Sequence, residues 1–424
     1  MSLLTNSTIA PSGSSATTRH RRLPSWGRGL LWTLLAVALL TATADLTGLA
    51  AITASPTVRA GVQLAIPILL AGLGGLWAER AGVVNIGLEG MMILGTWGAA
   101  FAGIHWGPWA AIVGGAVFGA LGGLIHAIAT VSFGVNHIVS GVALNLLGAG
   151  IAKYLSSLVF APITHNPKQS PPVEQLDTYS AQPLAAWLKG LEEDHPRYVL
   201  SDVAGILRGL VSGVSPLTMI TVALLVLSYF VLWHTRFGLR LRSCGENPVA
   251  AESLGIDVYR QKYLAVVISG GFAGLGGAAL VLAPGLNIYL EGQTNGRGYI
   301  GLAAMIFGNW RPGGLLGGAA LFGYADGLAT LTNGTTVLGL FYGVTLLCVA
   351  IALVQLYHRR WTAAGVAVAS SAVLYLVYLS IDALPSELTS YLPHIVTIVV
   401  LAASAQRLRM PAADGLIYRR GQAG

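Results

Sequence analysis

Charge is what this sequence has least of. Only 10% of its 424 residues are Asp, Glu, Lys or Arg, and 54% are hydrophobic, against roughly a quarter charged in an ordinary soluble domain. A chain of that composition cannot cover itself with a polar surface, so a water-soluble globular fold is excluded. Cysteine is scarce too. Cys244 sits in a polar, basic stretch and Cys348 in an apolar run, and they have neither the number nor the spacing of a disulfide framework or a zinc site. No Lys stands in a Gly-Lys-Ser or Gly-Lys-Thr sequence, so the phosphate-cradling loop of a nucleotide-driven pump is missing and any ATP must be hydrolysed by another subunit. His105, His126 and His137 are separated and form no His-x-x-x-His pattern. No paired carboxylates, metal ligands or nucleophile with its base appear, which leaves no catalytic residue, metal or cofactor to expect. The net charge of +7 comes from Lys and Arg placed between apolar runs. A continuous basic stripe with interleaved aromatics is lacking, which argues against a nucleic-acid partner.

What the chain does have is long uncharged runs. A bilayer core takes about 20 apolar residues per helix, and these runs suit roughly ten to twelve spans in one all-α polytopic bundle. After a Ser- and Thr-rich tail, residues 1–29, the first run begins at Leu30. Further spans are expected near 58–77, 88–105, 108–131, 136–160, 216–235, 263–284, 313–331, 336–357, 362–381 and 391–406, with a stretch near 298–309 too short to cross comfortably and suited to a re-entrant helix. The basic cluster Arg19, Arg21, Arg22 and Arg28, the apolar run and Ala42-Thr43-Ala44 also suit a cleaved signal peptide. An uncleaved anchor is the preferred reading.

Most of the 24 Lys and Arg residues then fall on one side, among them Arg80, Arg236, Arg240, Arg242, Arg260, Lys262 and Arg311. By the positive-inside rule that side is the cytoplasm, and both termini lie there. Residues 161–215, carrying Pro167, Pro171, Pro172, Pro183 and Pro196, become an irregular external loop with short surface helices. The membrane domain covers 30–406, a cytoplasmic loop covers 236–262, and a cytoplasmic tail covers 407–424.

Glycine is abundant, at 55 residues. Gly114-Gly115 with Gly119, and Gly270 with Gly274, place small residues where helix backbones can approach closely in lipid. The tempting dinucleotide-loop reading of Gly270 to Gly274 fails, because no strand precedes it.

Two segments are unusual for a membrane protein. Residues 77–90 put Asn85, Glu89 and three glycines at the mouth of a span. A broken helix there would turn polar groups toward a water-filled pathway. A tight interhelical turn, with Glu89 favoured by the dipole of the next helix, satisfies the backbone equally well. In the second segment Asn247 can cap, Pro248 fits the first helical position and Gly255 suits the residue beyond the end. That encodes a short helix outside the membrane between basic flanks, suited to meet another protein or, alternatively, anionic lipid.

The stretch Glu79 to Met92, reading Glu-Arg-Ala-Gly-Val-Val-Asn-Ile-Gly-Leu-Glu-Gly-Met-Met, and the stretch Gly298 to Trp310, reading Gly-Tyr-Ile-Gly-Leu-Ala-Ala-Met-Ile-Phe-Gly-Asn-Trp, resemble the permeases of the ABC importer group for branched-chain amino acids, ribose-type sugars and nucleosides. The nucleoside and simple-sugar branch is the most similar. The resemblance spans roughly 58–350 and the final span, and the N-terminal tail and the hydrophobic stretch near 362–381 depart from it. It implies a pore-forming subunit in the bacterial cytoplasmic (inner) membrane that performs no covalent chemistry. Its implied partners are a cytoplasmic ABC ATP-binding subunit, a second and usually different permease subunit, an external solute-binding lipoprotein and membrane lipid. The loop with Arg240, Arg242, Glu246, Asn247, Pro248, Ala250, Ala251 and Gly255 matches the family's ATPase-coupling segment.

Asn85, Glu89, Trp97, Asn136, Asn145 and Asp326 are candidates for lining the solute pathway, since polar and aromatic side chains in spans are costly and often functional. Hydrogen bonding between helices is the competing explanation for each. The alternative functions are a permease for simple sugars or branched-chain amino acids and a stand-alone secondary transporter.

Overall fold

The computed structural model describes residues 25–194, 199–331, 334–385 and 408–421, with isolated positions between 388 and 397. Tail residues 1–24 and most of the expected span 391–406 lie outside the described residues. In chain order the helices are α1 (Ser25–Thr47), α2 (Ser55–Arg80), α3 (Leu88–Trp106), α4 (Pro108–Ala127), α5 (His137–Val159), α6 (Ala161–Thr164), α7 (Gln182–Asp194), α8 (Val199–Val211), α9 (Pro216–His234), α10 (Arg236–Glu246), α11 (Pro248–Ser253), α12 (Val258–Val281), α13 (Arg297–Phe307), α14 (Pro312–Leu331), α15 (Gly334–Tyr357) and α16 (Trp361–Ser380). Two isolated antiparallel bridges, Gln169 with Leu290 and Tyr179 with Val214, are the only extended pairings among the described residues. An all-α bundle is the outcome expected where every backbone group must be satisfied without water.

Seven of the described helices are long and apolar enough to cross a membrane: Ala50–Arg80, Pro108–Ser132, His137–Val159, Pro216–His234, Val258–Val281, Gly334–Tyr357 and Trp361–Ser380. The 19-residue α3 and 20-residue α14 pack into the same bundle. α13, with 11 residues, is about 16 Å long at the helical rise and cannot span, as its sequence indicated.

Helix starts follow from local chemistry. Ser215 accepts a hydrogen bond from Thr218 N at 3.1 Å, Asp257 one from Arg260 N at 3.1 Å, and Pro108 and Pro216 occupy first-turn positions where an N–H is unneeded.

Helix α2 is the axis of the bundle. Ile68, Leu70, Ala71, Leu73 and Leu76 are completely buried, packed among α12, α13 and α14. Beside it α3, α4 and α12 cross on glycine. A Cβ at Gly274 would overlap the Gly115 carbonyl and approach Gly119 Cα to 2.8 Å, and one at Gly119 would lie 2.5 Å from Gly274 Cα. The backbones touch directly, as small residues permit in lipid. At the periphery α16 leaves Val366, Val373, Leu376 and Leu379 more than half exposed, a face suited to hydrocarbon.

Candidate functional site

Between α2 and α3 the chain abandons the helix for residues 81–87. Gly82 turns with φ +81°, a conformation glycine adopts freely. Beyond it residues 83–85 follow no regular structure, with Val83 and Asn85 completely buried. Two histidines satisfy Val84: its N–H donates to His137 Nδ1 at 3.3 Å, and its carbonyl lies 3.2 Å from His126 Nε2. His126 Nδ1 is 2.9 Å from Ser140 Oγ. With Nε2–H assigned as the donor to Val84, Nδ1 is left to accept the serine hydroxyl, so this pattern is that of neutral imidazoles. Asn85 Oδ1 accepts from Gly87 N at 3.1 Å, and its Nδ2 donates to Ser269 Oγ at 2.8 Å. Ser269 lies midway along α12, so residues 81–87 enter the bundle to the depth of its spans. This geometry is a broken helix rather than a tight turn at the surface.

The break meets a second one. Glu89 accepts from Gly296 N at 3.0 Å and Gly298 N at 2.7 Å, serving as a carboxylate cap for the orphan donors at the start of α13. Asn145 ties the same place together. Its Oδ1 accepts from Gly90 N at 2.7 Å, and its Nδ2 donates to Ile86 O at 3.0 Å and to the Tyr299 hydroxyl at 2.8 Å. Asp326 pairs with Arg297 at 2.5 Å, with both side chains mostly buried, the arrangement by which a span tolerates charge. Tyr299 is 46% exposed, with its hydroxyl held in this cluster by Asn145.

Asn85, Glu89, Asn145 and Asp326 therefore surround the paired breaks. Trp97 and Asn136 do not. Trp97 stacks on Phe101 with ring centres 5.1 Å apart and packs against Phe118 and Phe160, an aromatic core cluster whose apolar walls leave its indole Nε1 without a partner. Asn136 is exposed and caps α5, accepting from Ile138 N at 2.9 Å and Val139 N at 3.2 Å. Both were expected along a pathway; local packing and capping explain them instead. A groove of about 600 Å³ lies between α1 and α8 and is lined by Leu34, Val37, Asp45 and Val203 among others. None of the six candidates lines it.

At the end of the bundle carrying α10 and α11, the two sequence stretches that resemble importer permeases meet again. Trp310 Nε1 donates to Glu79 Oε2 at 2.6 Å, and Arg80 donates to the Trp310 carbonyl at 2.6 Å. The Arg80 and Arg242 guanidiniums lie over the Trp233 ring at 5.4 and 5.5 Å. Glu246 stands 4.0 Å from Arg80, and Arg242 Nε donates to Leu232 O at 2.9 Å. Asn247 Oδ1 accepts from Ala250 N at 3.0 Å, Pro248 occupies the first turn, and Gly255 has φ +79°, as the local sequence required. Arg240, Ala250, Leu239 and Leu254 face outward, with Leu254 81% exposed. Ala251 corrects the expectation of an outward contact. It is 2% exposed and packs inward with Cys244, Val258 and Tyr418, because the short helix needs an apolar face of its own.

The histidine clamp on Val84 and the Glu79–Trp310 contact were not anticipated from sequence. The available signal was weak: His126 and Ser140 only become neighbours when α4 and α5 pack together. Among the described residues no group of three or more His, Cys, Asp or Glu residues could hold a metal.

Comparison with known proteins relates the chain to transport permeases. The guanosine ABC transporter permease protein NupQ of Bacillus subtilis is 36% identical over 281 residues, covering 65% of this chain and 82% of that protein. The nucleoside ABC transporter permease protein NupC of Lactococcus lactis is 31% identical over 359 residues, covering 83% and 93%. A putative glucose ABC transporter permease protein of Haloferax volcanii is 36% identical over 281 residues, covering 65% and 77%. The family model described as branched-chain amino acid transport system / permease component matches residues 57–350, and the chain belongs to that family.

Proposed function

We propose that this chain is the pore-forming permease subunit of an ATP-driven importer for nucleosides in a bacterial cytoplasmic membrane, with both termini inside. It is a membrane-embedded, multi-pass transport subunit and not an enzyme. The relatives named for guanosine and nucleosides support the solute class. The relative named for glucose makes a simple sugar the second reading.

One observation carries the coupling: α11 is a capped two-turn helix outside the bundle that presents Ala250 and Leu254 outward. A cytoplasmic ATP-binding subunit seats on that face. Its closing and reopening moves α11, the Arg80–Trp310 contact beside it, and so the paired breaks held by Glu89. A second permease subunit completes the pathway, and an external solute-binding lipoprotein delivers the solute to the side carrying residues 161–215.

The test is uptake of radiolabelled guanosine, uridine, glucose and leucine by a deletion strain complemented with wild type or Leu254→Glu. Nucleoside uptake restored by wild type supports the assignment. Leu254→Glu should lose most of it and co-purify poorly with its ATPase, since burying an unpaired charge at an interface costs several kcal/mol. Restoration of glucose or leucine uptake alone would replace the solute, and undiminished ATPase assembly in the variant would remove α11 from the interface.

A further inference from the structure

The described C-terminal segment, residues 408–421, lies folded along the coupling loop and is fastened to four separate elements. Arg409 N donates to Asn309 Oδ1 in the α13–α14 turn at 2.7 Å. Against α10, Ala412 N donates to Glu246 Oε2 at 3.3 Å and Ala413 N to Gly245 O at 2.9 Å. At α11, Arg420 stands 3.6 Å from Glu252, whose Oε2 also accepts from Gly421 N at 3.5 Å. Against α12, the Tyr418 ring lies 5.7 Å from the Tyr259 ring and beneath the Lys262 ammonium at 5.8 Å. Tyr418 is 8% exposed and closes over Cys244, Ala251 and Val258.

Between these anchors the segment reaches the break itself. Gly415 turns with φ +77°, and a Cβ there would lie 3.3 Å from Val84 Cγ2; one at Gly82 would lie 3.2 Å from Ala413 O. Asp414 is 7% exposed. Neither of its oxygens has a hydrogen-bond partner at ordinary geometry, and the side chain it meets is the carboxyl of Glu79, itself 3% exposed and held by Trp310. Two buried carboxyls in contact cannot both ionise without severe cost, so the pair holds a proton between them.

We propose that Arg409–Gly421 is a positioning strap of the coupling machinery, which fastens α11 to the end of α2 and to the α13–α14 turn so that movement of α11 reaches the broken helix. Asp414 is its lock. The inference rests on the importer reading for its consequence in transport, and on the contacts above for the strap itself.

Burial pushes the Asp414 carboxyl up to about 7. The groups facing it are Glu79 and Arg80 from α2 and Lys262 from α12, with Cys244 and Glu246 of α10 beyond them. The two cations oppose the shift, and burial outweighs them. Because the docked group holds its proton more tightly than the released one, docking is strongest below the ordinary carboxylate range and weakens as pH rises through about 7.

Cys244 reports on the strap directly, being completely buried beneath Tyr418. The complete transporter in nanodiscs, in a Cys348→Ser background, would be labelled with a maleimide from about pH 6 to about pH 8.5. Solute-stimulated ATP hydrolysis would be followed in parallel. Asp414→Asn keeps a donor toward Glu79 and cannot titrate, while Asp414→Lys places a cation in the socket.

We expect Asp414→Lys to label about tenfold faster than wild type and to lose solute stimulation while its ATPase still co-purifies. From about pH 6 the wild type to Asp414→Asn labelling ratio should climb about tenfold further and level off above about pH 7, the thiol's own titration cancelling between them. Asp414→Asn should keep solute stimulation. Equal labelling of all three proteins across the range overturns the strap, whether or not hydrolysis responds to solute. Faster labelling of Asp414→Lys with solute stimulation undiminished overturns its part in coupling. A wild type whose hydrolysis ignores every solute would instead count against the importer reading, leaving the labelling contrast to judge the strap.

Discussion

Two regions of this bundle bring backbones together in opposite ways. At the crossing of α4 and α12, Gly115, Gly119, Gly270 and Gly274 remove their side chains so that regular helices touch main chain to main chain. At the breaks between α2 and α3 and before α13, the helices stop. Asn85, Glu89, His126, His137 and Asn145 are added to satisfy the freed groups. The glycine crossing is held by contact over a surface and has no alternative arrangement without overlap. The breaks are held by separate hydrogen bonds, each of which can be exchanged for another. A transporter needs both: a part that stays rigid and a part that can be re-paired.

The contrast breaks most severely at its rigid side. Gly274→Val should destabilise by about 3 kcal/mol or more, because a Cβ carrying two γ-methyl groups enters the backbone of α4 at Gly115 and Gly119, where overpacking finds no room to relax. The protein should fail to elute as a folded species in detergent. A well-behaved variant with near-wild-type thermal stability would mean that the crossing is looser than its geometry.

At the breaks the effect should be smaller on folding and larger on transport. Glu89→Ala takes the acceptor from buried Gly298 N, at roughly 1–3 kcal/mol, and from half-buried Gly296 N, which water can reach. Membrane insertion should survive while uptake is lost. Glu89→Gln keeps an acceptor oxygen and should recover part of it. Equal uptake by all three proteins at matched expression would show that the α13 cap does not matter to the moving part.

Asn85→Ala removes one donor to Ser269 and one acceptor from Gly87 and should cost about 1–2 kcal/mol, read as a lower melting temperature with reduced uptake. The mildest change is Trp97→Phe. Its indole N–H has no partner to lose, and a ring remains to stack on Phe101, so less than about 1.5 kcal/mol is expected and uptake should be close to wild type. Loss of transport there would return Trp97 to the pathway.

Much of this was legible from residue order. Runs of apolar residues located the described long helices to within a few positions, since the bilayer sets their length. Asn247, Pro248 and Gly255 delimited α11 because caps are local chemistry. The apolar stretch after Gly298 was already too short to cross comfortably. Position 136 misled for a related reason: an Asn before an apolar run reads equally as a buried polar group or as the cap it turned out to be.

What the sequence by itself determined is therefore what neighbours along the chain govern: an all-α membrane protein, its helix boundaries, the capped helix α11, and two unusual stretches marked by polar residues among glycines. Tertiary structure alone decided how those pieces serve one another. That Glu89 caps a helix starting more than two hundred residues later, that His126 and His137 bind the two sides of one residue, Val84, and that Asp414 meets Glu79 depend on which segments face each other. Hydrophobic periodicity carries little of that information here, because helices wetted by lipid on one side and packed on the other are apolar all round.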